Sequence, residues 1–306
     1  MPNLQDPSPF HRVVVYYQTQ YYDTGDKDKN GNLIKKYLSP SPLTPVATHV
    51  IIAAFHLFAD SNDSNTKKIH LNNDDPDDPS FDQMWVDVAR MQGSGVKIMG
   101  MLGGAAAGSY GNLSSDFKDY YSLLSSVITK HRLDGIDLDI EEGDSLSSIE
   151  QIIKQLKADF GPDFIVTLAP VAYAMKGNAD PFSGIKYSDL ETAFGYLIDW
   201  YNVQFYSGFG TMSTSRDYID IVTDCPLDPC KLVAGTLTST SSGSGYVDLD
   251  TVKSTMRQLL RIYGSRFGGI AAWEYYNSDP DTSEPWSWAA LMKVTMMNWK
   301  DVLAAE

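Results

Sequence analysis

Three carboxylates, Asp137, Asp139 and Glu141, occupy every second position of Asp134-Gly135-Ile136-Asp137-Leu138-Asp139-Ile140-Glu141, with aliphatic residues between them. A period of two is that of a β-strand, which puts the acids on one face and the aliphatics on the other. A strand that buries its aliphatic face can carry three acids on the other only where that face meets water, a metal or a substrate. At this spacing like charges repel, and desolvation raises their pKa values. At least one acid is then expected to hold a proton near neutrality, shared within the ladder. A carboxyl that keeps its proton at neutral pH is suited to general-acid work.

Three plainer readings compete. A solvated edge strand with scattered acids fits poorly with the helical segments on either side. A calcium loop of the D-x-D-x-D-G kind needs glycine where Glu142 stands. A divalent-metal site on a barrel strand is compatible with the spacing and carries less weight than catalysis.

The elements that must position the ladder recur along the chain. Strand-like runs occupy 12–18, 48–55, 96–102, the acidic run, 164–169, 199–206, 232–235 and 268–274, and helical periodicity marks 81–91, 116–130, 146–160, 187–194, 249–263 and a last helix from 286 towards 299. The polar stretches 23–36 and 60–82 read as loops. Eight strands alternating with helices predict a single-domain (β/α)8 TIM barrel over residues 12–306, preceded by a tail at 1–11. In such barrels chemistry gathers where the strands end. Glu141, Tyr206 and Trp273 close strands four, six and eight, so they should face one cleft. Asn202, Gln204 and Tyr206 share one face of strand six. Internal hydrogen bonding is as good a reading for Asn202 as ligand contact. Tyr275, two residues past Trp273, has surface packing as an equal alternative to substrate contact.

The 306 residues suffice for one large core, and the net charge of −15 argues against nucleic acid or an anionic membrane as partner. No apolar run approaches the ~20 residues needed to span a bilayer. The first residues show no signal-peptide pattern, so a cytoplasmic protein is expected, or a secreted one if a signal has been removed. Cys225 and Cys230 lack a partner histidine for zinc, and both a local disulfide and two thiols stay open. Asn62 and Asn112 head glycosylation sequons, a number near chance for this length. There is no G-x-S-x-G elbow and no H-E-x-x-H, and His56 reads as a rim or core histidine rather than a base. No cofactor is expected, and no long apolar stripe argues against a monomer.

Asp134-Gly135-x-Asp137-x-Asp139-x-Glu141 resembles the D-G-x-D-x-D-x-E signature of family 18 glycoside hydrolases, and the resemblance covers nearly the whole barrel. It implies that Glu141 is the general acid/base and that Asp139 orients the substrate's N-acetyl group, which itself attacks the anomeric carbon. Asp137 would hold Asp139 and share its proton, Tyr206 would hydrogen-bond the acetamide carbonyl, and Trp273 would floor the subsite. Gln204, Asn202, Tyr17, Phe55, Gly103, Gly104 and Tyr275 complete the expected substrate contacts. Ala54-Phe55 and Trp273-Glu274 are the expected non-proline cis peptides. One departure stands out: where the family has Ser-x-Gly-Gly, this chain reads Met101-Leu102-Gly103-Gly104, which removes a serine that steadies the motif's first acid. The runs 96–106, 201–210 and 273–278 look like the fungal endo-β-N-acetylglucosaminidases of the family, which cut between the two GlcNAc residues of the N-glycan core. A chitinase is the near alternative, and a catalytically inactive lectin of the same fold the alternative from another class.

Overall fold

Eight parallel strands close on themselves: β1 (Arg12–Tyr17), β2 (His49–Ala59), β3 (Lys97–Gly103), β4 (Gly135–Asp139), β5 (Ile165–Leu168), β6 (Trp200–Gln204), β7 (Leu232–Leu237) and β8 (Gly269–Trp273). Each pairs with its sequence neighbours, and β1 pairs with both β8 and β2, so the ring has no free edge. The computed structural model describes residues 11–60, 63, 66–143, 146–225 and 227–297. The expected tail, apart from His11, the Asn62 sequon and the end of the last helix therefore lie outside the described residues.

Helices pack on the outside through apolar stripes at helical spacing. In the helix Leu146–Phe160 the buried residues are Ile149, Ile152, Ile153 and Leu156. The helix Leu249–Tyr263 buries Val252, Met256, Leu259 and Leu260, and starts where the Asp248 carboxylate accepts the Thr251 N–H at 3.0 Å. Alternation along the strands splits the apolar residues into two bodies. One lies between strands and helices; the smaller fills the barrel's interior with Val14, Tyr16, Ile51, Met99, Met101 and Trp200 among others. No described helix is long and apolar enough to cross a membrane.

Two stretches expected to be loops contain strands. Residues 23–36 fall largely within an antiparallel hairpin, Tyr21–Lys27 with Leu33–Tyr37, and residues 60–82 contain Lys67–Leu71, which pairs antiparallel with the upper half of β2. The hairpin strands are largely exposed, so no apolar alternation marks them in the sequence. The turn is marked: Asp28 Oδ1 accepts the N–H groups of Asn30 and Asn32 at 2.8 and 2.9 Å. Short helices at Ser109–Ser115, Ala172–Met175 and Arg216–Asp224 were not anticipated either.

Candidate active site

β4 sets the ladder. Gly135 lets it lie close to β5, since a Cβ there would sit 2.4 Å from the Ile165 carbonyl oxygen. Asp134, at the foot of the strand, ties elements together far from the cleft: its carboxylate accepts the Ile98 N–H at 2.8 Å and bonds Lys97 Nζ at 2.9 Å. Asp137 is fully buried inside the ring. Three neutral donors reach it. Thr167 Oγ1–H (2.5 Å) and Asn202 Nδ2–H (3.0 Å) both meet Oδ1, and the Tyr16 hydroxyl donates to Oδ2 at 2.7 Å. Met101, at the position where the resemblance leads one to expect serine, lines the cleft.

One layer up, Asp139 accepts Gln204 Nε2–H at 3.2 Å, and the same amide donates to the Ala169 carbonyl at 2.8 Å. Burial first, then the charges of Glu141, Asp137 and Asp180, push the Asp139 carboxyl well above the ordinary carboxylate range. Glu141 follows β4, is partly exposed to the cleft, and is also raised, chiefly by burial. Burial raises Asp137 as well, and the hydrogen bonds from its three donors, which favour the charged form, pull the other way. The upper two acids face a cleft of about 440 Å³, with Gln204, Tyr206, Trp273 and the glycines 103 and 104 also on its walls. The Trp273 indole is braced edge-on by Tyr16, ring centroids 5.3 Å apart.

The glycines at the end of β3 are there for close approach. Gly103 has φ +95° and Gly104 φ +91°, and Gly104 donates its N–H to the Asp139 carbonyl at 2.9 Å. A Cβ on Gly103 would lie 2.3 Å from that carbonyl oxygen and 2.7 Å from the Tyr110 ring. Gly103→Ala is therefore expected to cost about 3 kcal/mol or more, measured as a lowered Tm with activity lost in parallel.

Four expected contacts lie elsewhere. Tyr17 and Phe55 point outward into the helix-facing core, one step out of phase with Tyr16 and Ala54, which face inward. Tyr275 is buried too, with its hydroxyl 3.2 Å from the Ser39 carbonyl. Asn202 sits below the cleft and serves Asp137. Among the described residues the non-proline cis peptides are Ala53–Ala54, one residue before the expected position, and Trp273–Glu274 as expected. Cys225 and Cys230 are free thiols. The Asn112 side chain is committed, donating to the Leu57 carbonyl at 2.9 Å.

Three further carboxylates have roles that the sequence does not assign. Glu274 accepts the N–H groups of Gln18 and Thr19 and the Thr19 hydroxyl at 3.1, 2.9 and 2.6 Å, tying the end of β8 to the loop after β1. Glu142 accepts from Gly108 and Tyr110 N–H at 2.9 Å each, fixing the loop beyond the glycines. Asp180, buried beside the upper acids, accepts from Phe182 and Ser183 N–H at 2.9 Å each. Of these, only Asp180 carried a signal, since Asp180-Pro181-Phe182-Ser183-Gly184 is a turn sequence.

A closed barrel with acids at the C-terminal end of one strand and an indole at the end of another is the architecture of barrel glycosidases. Known proteins narrow the class. The family model described as glycosyl hydrolases family 18 matches residues 12–226, and the chain belongs to that family. A fungal endo-β-N-acetylglucosaminidase of the family is similar in structure, with a TM-score of 0.81 and 39% identity over 93% of this chain and 97% of that one. A chitinase from Aspergillus fumigatus is similar to the same degree, with a TM-score of 0.78 and 41% identity over 94% and 99% of the two chains. Chitinase 2 of Rhizopus oligosporus is 30% identical over 66% of this chain but only 36% of its own length, so the chain spans little more than a third of that relative.

Proposed function

We propose that the chain is an endo-β-N-acetylglucosaminidase that hydrolyses the β-1,4 bond between the two GlcNAc residues of the N-glycan core with retention of configuration. Glu141 protonates the leaving oxygen, while the acetamide carbonyl oxygen of the reacting sugar attacks its own anomeric carbon to give an oxazolinium ion. Asp139 accepts the acetamide N–H and steadies the positive charge, the Tyr206 hydroxyl donates to the acetamide carbonyl, and Trp273 carries the sugar ring. Water, deprotonated by Glu141, then opens the oxazolinium; a sugar hydroxyl in its place would give transglycosylation.

An internal nucleophile suits this geometry. A retaining mechanism with an enzyme nucleophile needs a second carboxylate across the sugar from the acid. Here Asp139 and Glu141 alternate on the same segment, and Asp180 is occupied by two backbone N–H groups.

The observation that carries the N-glycan reading over chitin is a trough of about 740 Å³ that adjoins the cleft at Gln18, His56 and Ala106. Its walls come from the hairpin and from the chain after Lys67–Leu71, joined where the Tyr21 hydroxyl donates to the Ser80 carbonyl at 2.8 Å. Gln18, Thr19, Lys35, Asn73 and Ser80 give it a polar lining. A branched mannose arm presents hydroxyls in several directions and suits such a space. A linear chitin chain would make more use of an extended aromatic floor. The chitinase reading has its own support, the 41% identity to the A. fumigatus enzyme and the 30% identity to Chitinase 2 of Rhizopus oligosporus.

The deciding experiment offers the protein an oligomannose glycoprotein and, separately, chitin oligomers. Mass spectrometry is expected to find released glycans ending in one GlcNAc, with the other left on asparagine. Cleavage of chitin oligomers alone would end the N-glycan reading and leave the chitinase.

A further inference from the structure

The donors on Asp137 form an ordered chain that starts at the closed end of the barrel. Arg12 places its guanidinium carbon 4.4 Å from the centroid of the Trp200 ring, and His49 meets the same ring edge-on at 4.7 Å. Arg12 is itself fixed, donating to the Cys230 carbonyl at 2.7 Å. The indole N–H of Trp200 donates to Asn202 Oδ1 at 2.8 Å, and Asn202 Nδ2 donates to Asp137 Oδ1 at 3.0 Å. An indole nitrogen can only donate, so it selects which end of the amide faces it and thereby turns the N–H₂ end towards Asp137. Thr167 lies opposite Asp137 in the β4–β5 register and opposite Trp200 in the β5–β6 register, which brings its hydroxyl to the same oxygen.

We infer that Thr167, Asn202 and Trp200 are positioning residues that keep Asp137 as the ionised member of the ladder and so leave the ladder's proton with Asp139 and Glu141. Asp137 Oδ1 receives two donors, one of them an amide N–H that has no lone pair to offer, so that oxygen cannot carry a proton without a clash of hydrogens. On the other oxygen the Tyr16 hydroxyl supplies the hydrogen. If the Asn202 amide were reversed, its oxygen would oppose the carboxylate, and the most economical relief would be to protonate Asp137. The titratable groups that feel the Asp137 charge are Asp139 on the same strand, Tyr16 on β1, Tyr206 after β6, Tyr110 on the helix Ser109–Ser115 and Tyr187 on the helix Tyr187–Phe194. These are acids and phenols, so the neutral donors hold the charge in place without a countercharge among them.

A proton lodged on Asp137 would be sealed inside the ring, out of reach of a leaving oxygen in the cleft. Kept on the upper pair, it stands where the reaction uses it. The kinetic consequence rests on the glycosidase reading proposed above; the charge state itself does not.

The test follows the carboxyls directly, by ¹³C NMR titration of protein labelled at aspartate Cγ, with Asp137→Asn used to assign the Asp137 resonance. Thr167→Val, nearly isosteric, is expected to raise the Asp137 midpoint by about one pH unit, a tenfold gain in proton affinity. Trp200→Phe is expected to shift it in the same direction, and Thr167→Ser to restore the parent value. In turnover, kcat should fall about tenfold at neutral pH in the Val variant with KM little changed, as expected when a proton and not a contact is lost. Near-ultraviolet circular dichroism establishes that each variant is folded, and either valine or phenylalanine variant suffices alone. An unshifted Asp137 midpoint in a folded variant overturns the inference, as does a serine variant that behaves like valine. A chain that cleaves none of the offered glycans would sink the glycosidase reading while the titration still decides this one.

Discussion

Glu141→Gln is expected to lower kcat by about 10²–10⁴-fold, the range a positioned general acid contributes. Gln keeps the size and hydrogen-bonding capacity of the side chain, and Glu141 is partly exposed to the cleft, so neither fold nor substrate affinity should change much. The pH profile makes the prediction sharper. Burial raises the Glu141 pKa, the nearby charge of Asp180 raises it further, and hydrogen bonding from Gln204 works the other way. A raised pKa keeps the acid form present above the usual carboxylate range, so the parent's rate should decline as pH rises through that value. The residual rate of the Gln variant should lack this decline, because the group that titrates is gone. Parent and variant kcat measured across pH on an N-glycan substrate check both points. A variant as fast as the parent, or one that keeps the alkaline fall, would falsify the assignment of Glu141 as the acid.

The barrel was legible because its signals are local. Alternation at Asp137, Asp139 and Glu141 gave the strand, and its place in the order of elements gave the end of the barrel at which the acids stand. Naming strand ends fixes height along the barrel but not the face. Tyr17 and Phe55 were placed at the right height and on the wrong side, because at a strand end one residue of phase separates the interior from the helix-facing core. Trp273 was placed correctly by the same reasoning. Nothing beside Asn202 in sequence announces Thr167 or Tyr16; that cluster exists only because β1, β5 and β6 pass within hydrogen-bond reach of β4.

The hairpin and the strand Lys67–Leu71 were illegible for a different reason. Both hairpin strands are largely exposed, so selection for a buried face leaves no mark on them. The segments flanking them are joined by tertiary contacts: Asn72, just past Lys67–Leu71, donates its amide to the carbonyl of Gln18 at 3.0 Å and to Gln20 Oε1 at 2.8 Å, just before the hairpin. These are the elements that build the trough. The part of the molecule on which substrate choice is proposed to depend is therefore the part whose sequence said least, whereas the reacting centre was written in a motif.

Asp139→Asn should move activity and stability in opposite directions. The Asp139 carboxyl is raised well above its ordinary value, first by burial and then by the charges of Glu141, Asp137 and Asp180. A raised folded-state pKa means that the native protein holds a proton the unfolded chain has released above about pH 4. Between the unfolded and folded values the native state binds more protons, so stability falls as pH rises, and the deficit is complete above the folded pKa. Asparagine is neutral throughout and escapes this loss. Its Oδ1 can still accept the Gln204 amide hydrogen, so the contact at 3.2 Å need not be given up. The variant is expected to melt higher than the parent at pH 8 by about 2 °C or more, the shift for roughly 1 kcal/mol in a chain of this size, and to show little gain at pH 4. Its kcat should nevertheless drop by about 10²–10³-fold, as when one preorganised stabilising group is removed from a transition state, because no anion is left to face the acetamide N–H as the oxazolinium charge develops. Thermal melts at the two pH values, alongside turnover at neutral pH, separate these effects. A Tm gain equal at pH 4 and pH 8 would show that the change is one of packing and not of charge, and a variant less stable at pH 8 would mean that the ionised carboxylate is well accommodated there. A loss of stability on neutralising this acid would remove the ground for placing the ladder's proton on the upper pair.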